Sequence, residues 1–98
     1  MTKAPANVTI GGIRFRVVVR EMDEWGQLLF DKREIHISSK ATSKASTLRE
    51  TLRHEMLHAA LHVAGVSFSE RYDEESTVRA IEHIFFGAWD KVHKQLNP

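Results

Sequence analysis

From Thr47 to Ala64 the chain runs eighteen residues without a glycine or a proline, and its centre (Met56, Leu57, Ala59, Ala60, Leu61, Val63) is apolar almost all round. A helix with so wide an apolar surface must be covered, and most of a 98-residue chain's cover for it is what precedes it. What precedes it alternates every second residue, the period of a strand. That switch of period constrains the fold most: a sheet first, then helix packed on it. Thr47 with Glu50 fits a capping box and predicts the helix start, and Gly65 fits a left-handed cap at its end.

The β half divides at its turn residues. Val8 and Ile10 precede Gly11-Gly12, a pair suited to a two-residue hairpin. Ile13, Phe15, Val17 and Val19 then alternate with Arg14, Arg16, Val18 and Arg20, which puts the arginines on the wet face. Trp25-Gly26 marks the next turn. Strands are predicted at Gln27 to Phe30 and Glu34 to Ser38, around a charged Asp31-Lys32-Arg33 turn, with Ile35 and Ile37 facing away from Glu34 and His36. Residues 1–7 read as a loose lead-in, and Ser38 to Ser46 as a flexible polar connector. A second helix is predicted to begin between Ser69 and Glu74. Its stripe of Val78, Ile81, Phe85, Ala88 or Trp89, Val92 and Leu96 has helical spacing, and aromatics so placed read as core. The expected fold class is therefore α+β, a small antiparallel or mixed sheet of about four strands followed by two helices, in one domain over residues 1–98.

Composition narrows the chemistry. The chain has no cysteine, which excludes disulfides, iron–sulfur clusters, Cys-type zinc fingers and a thiol nucleophile. No apolar run is long enough to span a membrane, and the N-terminal residues lack the apolar core of a signal peptide, so the cytoplasm is the expected location. The net charge of +1 hides an asymmetry. Up to Arg53 there are ten Lys/Arg against six Asp/Glu; from His54 onward there are four against seven. The basic residues are scattered among acids, so they read as a solvated face and a nucleic-acid partner is disfavoured.

The long helix contains His54-Glu55-Met56-Leu57-His58. Histidines four apart stand on one helix face, so two imidazoles can hold one cation, and the glutamate after the first can reach a water in an open coordination position. A carboxylate in an apolar surround needs a partner, and a metal with its water is one. His62 continues the i, i+4 series but lies about 12 Å along the axis from His54, too far to share a metal with both. A third ligand is expected from the start of the second helix, at Asp73-Glu74-Glu75. Glu74 and Glu75 are both compatible with the stripe at Val78 and Ile81. Spacing leaves the two open.

The motif, the small residues after it, a short loop and a following Glu-x-x-Val-x-x-Ile together resemble the small zincins of gluzincin type. These are minimal HExxH metallopeptidase domains common in phages and mobile elements, and the resemblance covers roughly residues 27–85. It implies a zinc ion held by His54, His58 and Glu75, with Glu55 as general base in peptide hydrolysis. It also implies a peptide or protein substrate, extended along an exposed edge strand just before the motif helix, expected at Glu34 to Ser38. Position 79, where many gluzincins carry an acid that orients a histidine, is Arg79 here. Glu82 and Glu34 are the candidates to accept an imidazole N–H in its stead. Tyr72, His83, His36 and Arg79 are candidates for stabilising a developing oxyanion. Two rival readings are a zinc-dependent endoribonuclease, which the helical HxxxH series and the basic first half favour, and a metal-bearing interaction module without turnover.

Overall fold

Gly11 and Gly12 both sit at positive φ, +57° and +80°, and close a hairpin between β1 (Asn7–Ile10) and β2 (Ile13–Arg20). The computed structural model describes residues 2–68 and 73–96. β1 and β2 are antiparallel, with Val8 opposite Phe15. A 3-10 turn at Phe30–Lys32 and a left-handed Arg33 join β3 (Gly26–Leu29) to β4 (Glu34–Ser38), also antiparallel, with Leu28 opposite Ile35. β4 pairs parallel to β2 on its other side, giving a mixed sheet in the order β1-β2-β4-β3.

That order corrects one expectation. Glu34–Ser38 is an interior strand with a neighbour on each side, and the edge beside the motif helix is β3. Alternation assigns faces and not neighbours; the segment after β2 carries the chain past the place that β4 later fills. The alternation itself holds: Phe15, Ile35 and Ile37 are fully buried, while Arg14, Arg16 and Arg20 are exposed.

Residues 2–6, expected to be loose, are tied at two points. Thr2 N–H donates to Thr42 O at 2.7 Å, and Ala6 O accepts from Val17 N–H at 2.9 Å. The polar connector is likewise ordered. Ser39–Ser43 forms a 3-10 turn in which Ser38 Oγ accepts from Lys40 N–H, Thr42 Oγ1 donates to Ser39 O, and Ala41 is buried in the core. Its serines and threonines satisfy their own turn, which is why a polar segment can be fixed.

α1 (Ala45–Val63) begins two residues before Thr47, with Lys44 at its cap, so the capping box does not form. The helix ends as expected, with Gly65 at φ +81°. It lies on the apolar sheet face, burying Leu48 and Ala59 against Phe15, Ile35 and Ile37, with Glu55 buried beside Gly26 of β3. Coverage is one-sided: Leu52, Met56, Leu57 and Ala60 are only half-buried.

The second helical stretch is one rod made of α2 (Glu74–Ala80), a π turn (Ile81–Phe85) and α3 (Phe86–Leu96). Asp73 caps it by accepting from Ser76 N–H at 3.0 Å. The predicted start falls partly on residues 69–72, which lie outside the described residues. Val78 is fully buried and Ile81 half-buried, but the later part of the predicted stripe is not core: Phe85, Trp89, Val92 and Leu96 are all exposed. The π turn explains the departure. The residue it inserts shifts the facing register by about one position, so that Phe86, under Arg53, continues the face of Glu82 under His54, while Phe85 swings outward.

Candidate metal centre

α1 carries His54 and His58 one turn apart with their rings edge to face, centroids 4.9 Å apart. α2 reaches them with two consecutive glutamates that do different things. Glu75 Oε1 lies 2.7 Å from His58 Nε2, and Glu74 Oε2 lies 2.5 Å from His58 Nδ1. The third rod residue in play is Glu82, whose Oε1 is 2.8 Å from His54 Nδ1. The two Nε2 atoms face each other at 3.3 Å.

A carboxylate only accepts, and His58 has one on each nitrogen, Glu74 at Nδ1 and Glu75 at Nε2. A neutral ring can donate to only one of them. A second proton on the ring, or a cation at Nε2, answers the other. A cation there would also lie against the Nε2 atom of His54. The ligand atoms of His54, His58 and Glu75 lie within 4.8 Å of one another. The Nε2 pair has the spacing of a tetrahedral site with bonds of about 2.05 Å, whose ligand atoms stand roughly 3.3 Å apart. Two imidazoles and a carboxylate form the donor set of a catalytic zinc site with a vertex left open. The residues fit the ion.

Glu55 is 7% exposed and lies beside these groups without ligand geometry of its own. Burial pushes its carboxyl above the usual carboxylate range, opposed by His54 and His58 and reinforced by Glu75 and Glu82. Gly26 on β3 passes close over it. A Cβ there would sit 3.1 Å from Glu55 Cγ and Oε2 and from Thr51 Cγ2, so any larger residue would press on both side chains and shift Glu55. Partial burial raises the Glu74 carboxyl, but hydrogen bonds from Ser67 and His58, with the nearby charges of His62 and His58, outweigh it and leave it below the ordinary value. Ser67 Oγ donates to Glu74 Oε1, and His62 Nδ1 lies 2.9 Å from His58 O. His62 thus sits with the groups that hold His58 in place and is absent from the converging set.

Two hollows flank Glu55, both lined by His54 and Gly26. One, of about 490 Å³, is bounded by Trp25, Thr47, Glu50 and Glu82. The other, of about 340 Å³, is bounded by Gln27, Phe30, His58 and Glu75. Five glutamates line the pair (Glu50, Glu55, Glu74, Glu75, Glu82), and no lysine or arginine does among the described residues.

The remaining candidates are placed elsewhere. Glu34 is on the opposite face of the sheet, accepting from Arg16 at 2.5 Å and from His36 at 2.9 Å, while Arg20 Nε donates to His36 Nδ1 at 2.7 Å. Neither Glu34 nor His36 reaches the centre; of the two glutamates that sequence left open, Glu82 is the one beside an imidazole of the pair, at His54, and Glu74 stands beside the other, at His58. The His83 side chain is 72% exposed and Arg79 is exposed. Tyr72 lies outside the described residues. Glu74 and Glu75, which spacing left open, stand at opposite nitrogens of the His58 ring, and it is Glu75 whose oxygen joins the His54 and His58 nitrogens. Comparisons with family profiles, with curated proteins and with solved structures return no match to this chain.

Proposed function

We propose that this chain is a zinc-dependent peptidase resembling the minimal zincins, with the ion held by His54, His58 and Glu75 and with Glu55 as general base. The observation that carries this reading is the convergence of ligand-type atoms of His54, His58 and Glu75 within 4.8 Å of one another, one helix position from a buried glutamate whose pKa is raised. Zinc bound there would supply Lewis acidity, acidifying water and polarising a carbonyl. Glu82 and Glu74 hold the imidazoles in the tautomer that turns Nε2 inward. Glu55 takes the proton of the attacking water and passes it to the leaving amine, a task suited to a carboxylate with a raised pKa. The free edge of β3, which runs past Glu55 at Gly26, offers backbone hydrogen bonds to an extended peptide, so the substrate lies along β3 rather than β4.

The acidic lining favours a peptide over RNA. Five glutamates and no basic residue around the two hollows repel a chain of phosphates, whereas nucleic-acid sites neutralise phosphates with lysine and arginine. No helix among the described residues is long and apolar enough to cross a membrane. A cysteine-free chain suits a reducing compartment, which accords with a cytoplasmic location.

Glu55→Gln tests the reading. It should retain about one zinc per chain, the load of a single site, and lose peptide hydrolysis by at least the ~10²-fold that a general base contributes. Loss of metal in that variant would make Glu55 a structural residue. Zinc binding by the wild-type chain without cleavage of any peptide would leave a binding module.

A further inference from the structure

The unexplained part of the molecule is the outer face of α3. Phe85, Trp89, Val92 and Leu96 follow at spacings of four, three and four, and a helix turning 100° per residue brings them within a strip about 60° wide. They are exposed by 58%, 44%, 44% and 67%. Together they present on the order of 500 Å² of surface, within the range of the largest patch on a monomer. Nothing among the described residues covers it, because the rod meets α1 through Glu75, Val78, Glu82 and Phe86, on a different side.

The charge pattern indicates what does. Asp90, Lys91 and Lys94 all fall at least about 120° from the centre of the strip at helical spacing. Its borders are Ala88 and Gln95 on one side and Phe86 and His93 on the other, with no lysine, arginine, aspartate or glutamate. Spacing of four, three and four is that of the d and a positions of a two-helix seam. A strip bordered by neutral residues accepts an identical strip without opposing like charges. A membrane-surface helix, by contrast, gathers lysine and arginine along its apolar border.

We propose that α3 is a dimerisation helix, and that a second copy of this chain covers Phe85, Trp89, Val92 and Leu96 across a two-fold axis. The strip is smaller than the ~800 Å² per partner of a standard interface, the size of a weak pair, and a symmetric pair closes without leaving a matching strip exposed. The candidate metal centre faces α1, on another side of the rod, and stays open in such a dimer.

The test is the mass of the wild-type chain in solution, by light scattering or equilibrium sedimentation at micromolar concentrations, compared with variants. The wild type should weigh twice 11.2 kDa, and Trp89→Glu and Leu96→Glu should weigh 11.2 kDa with unchanged far-UV circular dichroism, since both side chains are already exposed. Lys94→Glu, on the charged face, should remain a dimer. In each strip variant the dimer dissociation constant should rise at least tenfold, as expected when a central anchor is replaced by a charge. A monomeric wild type overturns the proposal, and one that is monomeric but sediments with anionic phospholipid vesicles reassigns the strip to a lipid surface. A dimer that survives Trp89→Glu and Leu96→Glu places the interface elsewhere.

Discussion

A single imidazole shows how finely residues are assigned here. His58 has Glu74 on Nδ1 and Glu75 on Nε2, so adjacent side chains of one helix end serve opposite edges of the same ring. The pair His54 and His58 was legible because identical residues four apart share a helix face, and Glu55 because it follows the first of them. Which of Glu74 and Glu75 would ligate was not legible. Both fit the spacing to Val78 and Ile81, and the choice depends on how the rod is rotated against α1. The resemblance to zincins selected Glu75, and it is Glu75 that joins the converging atoms. Glu82 acts on His54 through a hydrogen bond of 2.8 Å, so Glu82→Gln should leave the fold intact and weaken zinc affinity by about 10- to 100-fold. Competition with a chromophoric chelator measures this. Unchanged affinity would mean that Glu82 does not hold His54 for a metal.

Elements were legible where one face is buried, and not where neighbours had to be chosen. The hairpin at Gly11-Gly12 and the alternation of Ile35 and Ile37 followed from local chemistry. The parallel pairing of β2 with β4 did not, because no residue in either strand reports which strand lies beside it. The stripe over Val78 to Leu96 misled for a related reason. Helical spacing establishes an apolar face, but it does not establish that this chain covers it. The rod itself touches the body mainly through Val78 and through carboxylates aimed at histidines. Binding of zinc by His54, His58 and Glu75 would therefore clamp α2 to α1, adding stability that depends on metal. Amide exchange should show this by element: chelation should raise exchange rates over residues 74–80 and leave β4 as protected as before. Equal loosening of β4, or no change in α2, would contradict a clamp between these two helices.

At the scale of the molecule, the near-neutral charge is divided by face. Arg14, Arg16 and Arg20 stand on the outer side of the sheet, whereas the five glutamates gather around the two hollows on the other side. Most of those acids belong to the half of the chain from His54 onward, which carries four basic residues against seven acidic ones. This set of carboxylates beside two imidazoles is proposed to hold a divalent cation, whose charge would offset theirs. Zinc content under saturating conditions, in the wild type and in Glu75→Ala and Glu74→Ala, is the most direct measurement of that claim. Wild type and Glu74→Ala should each hold about one ion, and Glu75→Ala should hold almost none after equal dialysis, because only Glu75 completes the three-ligand set. A wild-type chain that binds no zinc, or a Glu75→Ala variant that keeps the ion while Glu74→Ala loses it, would contradict the account.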